Sequence, residues 1–388
     1  MAPPQDLIDD ATAEILLRLR LTEYHGAMAP PQDLIDDATA EILLRLPPDE
    51  PACLVCAALV CKPWRRVLSD PAFPRRYRAF HGAPPLLGFL LNRREFDHSA
   101  EFVPTAPSFP FHPPEFDCDH WWTLDCRHGR VLFHSIDPTG LVVWDPITGD
   151  EHYLPKPEYE YLYHGAAVLC AAEGCDHRDC HGGPFLVVFV GADDNRKVTR
   201  ASRYSSDTGA WSDTEAYLGF PCEIETSPCL LAGDALYFMT QLCLGIVKYD
   251  LAKQDLSVIE TPEDYHYGLV GTVMTAEGGG LGLAGMEDYS LHLWSWQSGT
   301  DDTDDDWLHK VVDLKTLLPV RALSTPPRLI GFAEGSNTIF LNTYAGVFSV
   351  ELSSGKVKKI GKRGRYYSIL PYMSFCTPDL AEPLLPQS

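Results

Sequence analysis

A recurring group of four short alternating segments limits the fold of this sequence more than any other feature. Five such groups follow one another, separated by clusters of Gly, Pro, Asp and Ser that are typical of turns between strands. A marker residue near the centre of each third segment shows the period: Trp144, Tyr204, Tyr249, Trp294, and Phe348 or Ser349. The intervals are about 60, 45, 45 and 55 residues, and a four-stranded unit repeated at about 40–50 residues is typical of a β-propeller blade.

Segments left over at the two ends of this region predict how the ring closes. Leu86–Leu91 and Glu101–Val103 precede the first group, and Tyr366–Phe375 follows the last. Together they would form a sixth blade, and a closed ring leaves no open sheet edge. The two long intervals contain insertions, a Cys/His stretch near Cys175 and an acidic run. The sequence therefore predicts an all-β propeller over residues 81–378, with six blades.

Before His81 the apolar residues recur at helical spacing instead. Pro47-Pro48 must end a first helix, and Asp70-Pro71 separates a last, basic helical piece from the rest. The apolar stripes are formed by Ala38, Ile42, Leu43 and Leu46, by Leu54, Val55, Ala58 and Leu59, and by Val60, Cys61, Trp64, Val67 and Leu68. Three or four helices in about 50 residues bury little apolar surface alone, so we expect the exposed stripe to meet a partner. The predicted fold class is α+β with two domains, a small N-terminal all-α unit followed by the propeller.

The net charge excludes two classes of partner. Thirty-one Lys and Arg residues stand against 54 Asp and Glu residues, which gives a formal charge of −23. Phosphate backbones and anionic membrane surfaces would repel such a chain, so we expect neither nucleic acid nor membrane as a partner. The acidic start lacks the features of a secretory signal, and no apolar stretch reaches about 18 residues. Together with cysteines that follow no secreted framework, these features predict a cytoplasmic or nuclear location, or both.

One loop concentrates residue types that bind metals. Cys170, Cys175, His177, Cys180 and His181 lie in the stretch CAAEGCDHRDCHGG, and sulfur and nitrogen ligands of this kind can hold zinc in a tetrahedron. The spacing lacks the paired C-x2-C of common structural sites, and the adjacent Cys180 and His181 are awkward ligands for one ion. The sequence therefore favours an exposed hairpin loop with free thiols and no metal or cofactor. Zinc stays open as the alternative.

Other patterns favour structure over chemistry. Gly280, Gly282 and Gly285 match G-x-G-x-x-G, but the residues after them alternate as a strand, whereas a dinucleotide site needs a helix there. The acidic run 301–306 lacks the spacing of a calcium loop, and the basic run 356–365 fits an exposed strand and turn. The G-x-S-x-G, H-E-x-x-H and G-x4-G-K-S/T patterns do not occur in the sequence. The sequence thus nominates no catalytic residue.

The segment Leu34–Phe80 resembles the F-box motif as it occurs in plant F-box proteins. The matching pieces, in order, are EILLRLP at Glu41–Pro47, LVCKPWR at Leu59–Arg65 and DPAF at Asp70–Phe73. From about Pro84 to Thr377 the chain is similar to the β-propeller-type region of those proteins. The landmarks of that region are WDPITGDEHYLP at Trp144–Pro155 and YSILPYMSFCTPD at Tyr367–Asp379.

This resemblance implies a function without catalysis. The chain would be the substrate-recognition subunit of an SCF-type E3 ubiquitin ligase. Its F-box would dock on a Skp-type adaptor and through it on a cullin, and its propeller would hold a protein substrate whose identity stays open. The transfer chemistry would belong to other subunits. Two alternatives stay open, a non-catalytic F-box scaffold that acts outside ubiquitination and a propeller enzyme such as a hydrolase.

The resemblance also implies which residues bind the adaptor. They are Leu34, Ile35, Ile42, Leu43, Leu46, Pro47, Leu59, Val60, Cys61 and Trp64. The family usually has Pro where this chain has Ile35, and Leu where it has Ala38. At about 0.8 kcal/mol per buried CH₂, these departures would lower the adaptor affinity modestly. Trp64 is also expected to fill the core of the helical unit itself.

The beginning of the chain contains a repeat. Met1–Leu19 recurs letter for letter as Met28–Leu46. The first copy lacks both a proline stop like Pro47 and a helix like that of Trp64. We therefore interpret residues 1–27 as a duplicated, poorly ordered fragment of the F-box start and Met28 as the functional start, with Met1 left open. The predicted domains are then an F-box over 28–80, a propeller over 81–378 and a tail over 379–388.

Overall fold

The computed structural model describes residues 32–93, 100–106, 111–112, 114–116, 120–136, 139–157, 163–178, 180–193, 197–212, 216–241, 245–265, 269–298, 306–334 and 336–377. The duplicated fragment 1–27, the acidic run up to Asp305 and the tail 379–388 lie outside the described residues. The chain divides into two units. One comprises the residues up to Pro84 together with Phe375 and those after it, and the other is Pro85–Ser374. None of the described helices has the length and apolar character that a membrane span requires.

Four helices build the first unit: α1 (Gln32–Leu43), α2 (Ala52–Val60), α3 (Lys62–Leu68) and α4 (Ala72–His81). Pro63 occupies the first turn of α3, where a missing N–H is tolerated. At the start of α4, Ala72 N donates a hydrogen bond of 2.9 Å to Asp70 Oδ1, so the Asp-Pro break of the sequence acts as a helix start. Part of each apolar stripe meets in one core, to which Phe375 contributes a buried ring; the stripe residues buried there are Leu43, Leu54, Ala58, Val67 and Leu68. The stripe residues Ala38, Leu59, Val60 and Cys61 are exposed instead.

The second unit is the predicted propeller, and six antiparallel sheets among its described residues confirm the six blades. The closing blade contains β1 (Leu86–Arg93), β2 (Ala100–Pro104) and β24 (Tyr366–Met373). Blade 1 contains β3 (Trp121–Arg127), β4 (Arg130–Ile136), β5 (Thr139–Trp144) and β6 (Glu151–Leu154). Blade 2 contains β7 (His164–Cys170), β8 (Phe185–Asp193), β9 (Val198–Ser205), β10 (Ala210–Trp211) and β11 (Ala216–Leu218).

The remaining three blades have four strands each. Blade 3 contains β12 (Leu230–Ala232), β13 (Ala235–Met239), β14 (Ile246–Asp250) and β15 (Asp255–Ile259). Blade 4 contains β16 (Val270–Thr275), β17 (Leu281–Glu287), β18 (Ser290–Gln297) and β19 (Asp306–Asp313). Two 3₁₀ helices, Leu314–Thr316 and Val320–Leu323, lead to blade 5, which contains β20 (Arg328–Ala333), β21 (Thr338–Thr343), β22 (Gly346–Glu351) and β23 (Val357–Gly361).

The closing blade joins the two ends of the propeller. β1 pairs with β2 on one side and with β24 on the other, and Leu90 faces Leu370 in the second pairing. The buried Asn92 then connects this blade to blade 1. Its side-chain amide donates to Thr123 O at 2.8 Å and accepts from Thr123 N at 2.9 Å, and it also donates to Ser368 Oγ at 2.9 Å. One asparagine thus links three strands, two of the closing blade and one of blade 1.

The third-strand aromatic residues fill the gaps between successive blades. Tyr204 of blade 2 lies in a core cluster shared with blade 1, and Tyr249 of blade 3 lies in one shared with blade 2. Trp294 and Phe348 occupy the same place between blades 3 and 4 and between blades 4 and 5. In blade 1, the Trp144 ring meets Phe102 of the closing blade at 5.8 Å. The regular spacing of these aromatic residues in the sequence therefore corresponds to their recurrence between successive blades.

A buried ion network connects the innermost strands of four blades. Arg127 Nε donates to Asp125 Oδ2 at 2.8 Å, and both residues belong to β3. Arg127 Nη2 donates to Cys229 O at 2.8 Å, just before β12, and lies 3.4 Å from Glu334 Oε1, just after β20. Asp125 Oδ2 in turn accepts from Val168 N of β7 at 2.8 Å. Arg127 and Asp125 pair inside the ring, where water screens them little, whereas the side chain of Glu334 is 36% exposed.

We expect Arg127→Met to destabilise the propeller by about 3–5 kcal/mol, because it leaves the buried Asp125 carboxylate without its cation. Chemical denaturation followed by tryptophan fluorescence measures the loss. The matched control is Arg321→Met, since Arg321 is exposed, and it should change the free energy of unfolding by less than about 0.5 kcal/mol. Equal losses in the two variants would contradict this role of Arg127.

Two buried histidines should make the propeller sensitive to acid. His134 of β4 and His164 of β7 meet edge to face at 4.4 Å between blades 1 and 2. Burial lowers the pKa of His134 to about 4, and burial together with His134 lowers that of His164 to about 3. Both folded-state pKa values lie below the ordinary value of about 6.5, so the unfolded chain takes up protons first as the pH falls.

We expect each histidine to lower the free energy of unfolding by about 2 kcal/mol between about pH 7 and pH 5. Denaturation at a series of pH values measures this slope. His164→Gln should make the free energy of unfolding less dependent on pH over this interval. His152→Gln, at an exposed position of β6, should leave this pH dependence unchanged. An unaltered slope in His164→Gln would show that His164 is not held neutral.

Candidate functional site

Two adjacent apolar side chains are exposed at the end of α2. Leu59 is 66% exposed and Val60 is 62% exposed. The helix ends at Val60 because Cys61 adopts an extended conformation and turns the chain into α3. The other helices therefore leave this corner uncovered, and Cys61 and Pro63 beside it are exposed as well. An apolar corner on so small a unit is a candidate partner-binding surface.

The ten residues expected to bind an adaptor fall into separate environments. Leu43 is completely buried, and Leu46 and Trp64 are partly buried against the same core. Ile42 is half-buried, and Pro47 is exposed. Leu34 and Ile35 lie in α1, but their side chains are outside the described part of the chain. Leu43 therefore packs inside the unit, and the accessible surface comes from Ile42, Leu46, Pro47, Leu59, Val60, Cys61 and Trp64.

The turn that carries Leu46 and Pro47 is fixed from α4. The buried Tyr77 donates its hydroxyl proton to Leu46 O at 2.8 Å, and burial raises the pKa of Tyr77, which keeps it a donor. Glu41 of α1 lies 3.6 Å from Arg76 of α4. These bonds hold the end of α1 against α4. The exposed residues are thus presented on a fixed backbone.

Cys53 of α2 lies in surroundings that disfavour the thiolate form of its side chain. Burial, together with the nearby carboxylate of Glu50, raises the pKa of Cys53 to about 11. Only the thiolate attacks electrophiles or binds metals, and this thiol keeps its proton at neutral pH. The helical unit therefore offers a surface for binding and no activated thiol at this position.

In the propeller, three side chains from distant segments form a hydrogen-bonded chain. His181 Nδ1 lies 2.7 Å from Asp145 Oδ2, and His181 Nε2 lies 2.8 Å from Ser374 Oγ. A serine hydrolase uses the same order of groups, with the histidine as general base for the serine. No sequence motif indicated this arrangement, because its members stand about 36 and 193 residues apart in a fold whose ring brings them together.

The surroundings of this chain of bonds fit a structural role. Ser374 is only 3% exposed, whereas a nucleophile must be open to its substrate. A neighbouring pocket of about 240 Å³ is lined by Asp145 together with Arg130, Val143, Asp150, Glu151, His152, Gly182 and Gly183, and neither His181 nor Ser374 lines it. Its carboxylates would repel a developing oxyanion. We therefore assign His181 to holding the β7–β8 loop against blade 1 and the end of β24.

A glycine makes room for this histidine. Gly129, in the β3–β4 turn, has a φ of +74°, and a Cβ atom there would lie 2.8 Å from His181 Cε1. Both the left-handed backbone and the close ring favour glycine at this position. The turn of blade 1 is thus shaped to receive His181.

We expect that a fluorophosphonate probe does not label the native protein at Ser374, because Oγ is buried. Ser374→Ala should instead lower the free energy of unfolding by about 1 kcal/mol through loss of the bond to His181. The exposed Ser353, changed to Ala, is the control for both measurements. Labelling that disappears in Ser374→Ala would favour the hydrolase alternative.

The remaining sequence patterns lie in strands. Gly282 and Gly285 belong to β17, and the described residues that follow form β18, so the glycine pattern is not followed by the helix of a nucleotide site. Lys358 and Lys359 are exposed on β23, the outer strand of blade 5. The Arg363 guanidinium lies 4.4 Å from the centre of the Tyr344 ring.

Two family models match the chain. A model of the F-box domain matches residues 32–76. A model described as F-box protein AT5G49610-like, beta-propeller, matches residues 122–379, which is more than half of the chain. No curated protein matches the sequence.

The solved structures that match the chain are distant in sequence. A chain of a nidogen/laminin complex is 11% identical with a TM-score of 0.42, over 74% of this chain and 99% of that one. A protein of unknown function from Desulfotomaculum acetoxidans is 11% identical with a TM-score of 0.43, over 74% and 86%. A protein of unknown function from Bacteroides thetaiotaomicron is 10% identical with a TM-score of 0.37, over 74% and 84%. At such values these similarities say nothing of function.

Proposed function

The chain belongs to the F-box proteins with an AT5G49610-like β-propeller, and from this premise we propose that it is the substrate-recognition subunit of an SCF-type E3 ubiquitin ligase. The F-box docks on a Skp-type adaptor and through it on a cullin. The propeller binds a protein substrate, which is then ubiquitinated by other subunits. The protein acts in this way in the cytoplasm, the nucleus or both.

The exposed corner of the helical unit carries the proposal. Leu59 and Val60 present apolar surface that the helices of their own unit leave uncovered. Burying such side chains against a partner contributes about 1.5–3 kcal/mol each. Pro47 and Cys61, both exposed, and the partly buried Trp64 complete the proposed adaptor surface. Leu43 supports this surface from the core.

The propeller supports a binding role without catalysis. Its blades are joined by continuous apolar clusters, from blade 1 through to the closing blade. A rigid ring presents its loops in fixed positions, which reduces the entropy lost on binding. The Asp145–His181–Ser374 chain is buried, so the structure offers no accessible nucleophile there.

We expect the double variant Leu59→Asp/Val60→Asp to weaken binding of the Skp-type adaptor by at least about 100-fold, since about 3 kcal/mol of apolar contact is replaced by buried charge. Titration calorimetry with purified adaptor measures the affinity. The fold should persist, because both side chains are exposed, and circular dichroism checks this.

The matched control is Val320→Asp, at an exposed apolar residue of the propeller. It should bind the adaptor with the wild-type affinity. A second comparison, Leu43→Asp, should unfold the helical unit, since it places a charge in the core. Wild-type affinity in a folded Leu59→Asp/Val60→Asp variant would refute the proposed surface.

The alternative of a scaffold outside ubiquitination rests on Ile35 and Ala38, which depart from the usual F-box residues. A reconstituted ligase separates the two functions. If the adaptor binds but no cullin is recruited to the complex, the scaffold is favoured. If a cullin joins and captured proteins become ubiquitinated, the substrate-receptor function is favoured.

A further inference from the structure

Four potential metal ligands converge in the loop between β7 and β8. The ligand atoms of Cys170, Cys175, His177 and Cys180 all lie within 4.8 Å of one another. Cys175 Sγ lies 3.6 Å from Cys180 Sγ, and Cys180 Sγ lies 3.8 Å from His177 Nδ1. The sequence brings these residue types into one loop, and the fold brings their ligand atoms to one point.

The Cys175–Cys180 and Cys180–His177 distances are close to the edges of a tetrahedron around zinc. With Zn–S bonds of about 2.3 Å and Zn–N bonds of about 2.0–2.1 Å, ligand atoms at the corners are about 3.8 Å apart for two sulfurs and about 3.6 Å for a sulfur and a nitrogen. A disulfide would need the two sulfurs at about 2.05 Å, and Cys175 and Cys180 are both free. The geometry therefore suits an ion between the sulfurs better than a bond between them.

We propose that Cys170, Cys175, His177 and Cys180 form a tetrahedral Zn²⁺ site that closes the β7–β8 loop. Three thiolates and one imidazole are a preferred ligand set of structural zinc. All four coordination positions are taken by the protein, so the site stabilises structure and has no place for a substrate. Each cysteine gives up its thiol proton to the solvent when the ion binds.

The local backbone is arranged around the four ligands. Cys170 is the last residue of β7, and Ala171 N donates to Pro184 O at 2.9 Å, which closes the base of the loop. Gly174 and His177 both have positive φ, which turns the chain back on itself. His177 N lies 3.4 Å from Cys175 Sγ, and an N–H directed at a sulfur stabilises the thiolate that zinc requires.

The neighbouring His181 is not a ligand of this site. The adjacent residues Cys180 and His181 therefore do not have to bind the same ion. Cys180 points to the cluster, whereas His181 points to Asp145 and Ser374. The ligand pattern is therefore C-x4-C-x-H-x2-C, which ends at Cys180.

A residue of blade 1 supports the cluster from outside. His128 lies in the β3–β4 turn, and its ring stacks on that of His177 with centres 4.3 Å apart and planes 18° apart. Cys170 N also donates to His128 Nδ1 at 3.1 Å. Zinc would thus fix a loop of blade 2 in contact with a turn of blade 1, and the loop would present one defined conformation.

The test measures metal in the full-length protein, purified without a histidine tag, loaded with Zn²⁺ and dialysed against metal-free buffer. Mass spectrometry of the metal should find about one zinc per chain. Cys175→Ser and Cys180→Ser should each lower the retained zinc at least about tenfold. His181→Gln and Cys222→Ser are the matched controls, because they change the same residue types outside the cluster, and both should retain about one zinc.

Cobalt reports the geometry independently. The Co²⁺-loaded protein should show the intense ligand-field bands and the sulfur-to-metal charge transfer of tetrahedral thiolate coordination. His177→Gln should shift the ligand-field bands and keep the charge transfer. A chelator should lower the melting temperature of the wild type and leave that of Cys180→Ser unchanged. If either cysteine variant fails to fold, His177→Gln and the cobalt spectrum of the wild type decide the question.

Several results would overturn the proposal. Wild-type protein with well under one zinc per chain after loading has no such site. Equal zinc in the cysteine variants and in the wild type places the ion elsewhere. A disulfide between Cys175 and Cys180 in protein purified under reducing conditions, detected as a peptide pair that has lost two hydrogens, would replace the metal with a covalent link.

Discussion

A four-stranded blade has two apolar faces and cannot bury either of them alone. Five of the six blades bury one face through an aromatic residue of the third strand, such as Tyr249 or Trp294, which packs into the core shared with the preceding blade. Because these blades depend on their neighbours in this way, the ring is stable only as a whole. The loops and surfaces used for binding rest on that mutual burial.

Polar residues inside the ring determine how the blades are aligned. Arg127 of blade 1 contacts groups of blades 3 and 5, Cys229 O and the Glu334 carboxylate, and its partner Asp125 contacts blade 2. Apolar packing alone tolerates small shifts of one blade against the next, whereas a buried charge tolerates no loss of its partners. Asn92 aligns the blades in the same way where the ring closes, because both the nitrogen and the oxygen of its side-chain amide bond to Thr123.

The sequence predicted most of the fold because alternation and turn residues are local signals. Tyr204 and Trp294 lie in the third strands of their blades, β9 and β18, as their spacing predicted, whereas β11, only three residues long, carries too little pattern to be seen. The residues of the candidate site were harder to predict from the sequence. A helical stripe does not reveal which leucine faces its own core, so Leu43 and Leu59 looked alike. Arg127 bonds to Cys229 and His181 to Ser374, each pair more than one hundred residues apart, and no spacing rule connects them.

The pairing of β1 with β24 has a consequence for how the protein is made. The first strand of the ring leaves the ribosome long before its partner, which ends at Met373. Until then β1 is an unpaired edge, and edges of this kind invite pairing with other chains. A message cut short before Tyr366 would therefore yield a chain that cannot close, and its open strands would mark it for chaperones and proteolysis. Closure of the ring thus depends on its last strand.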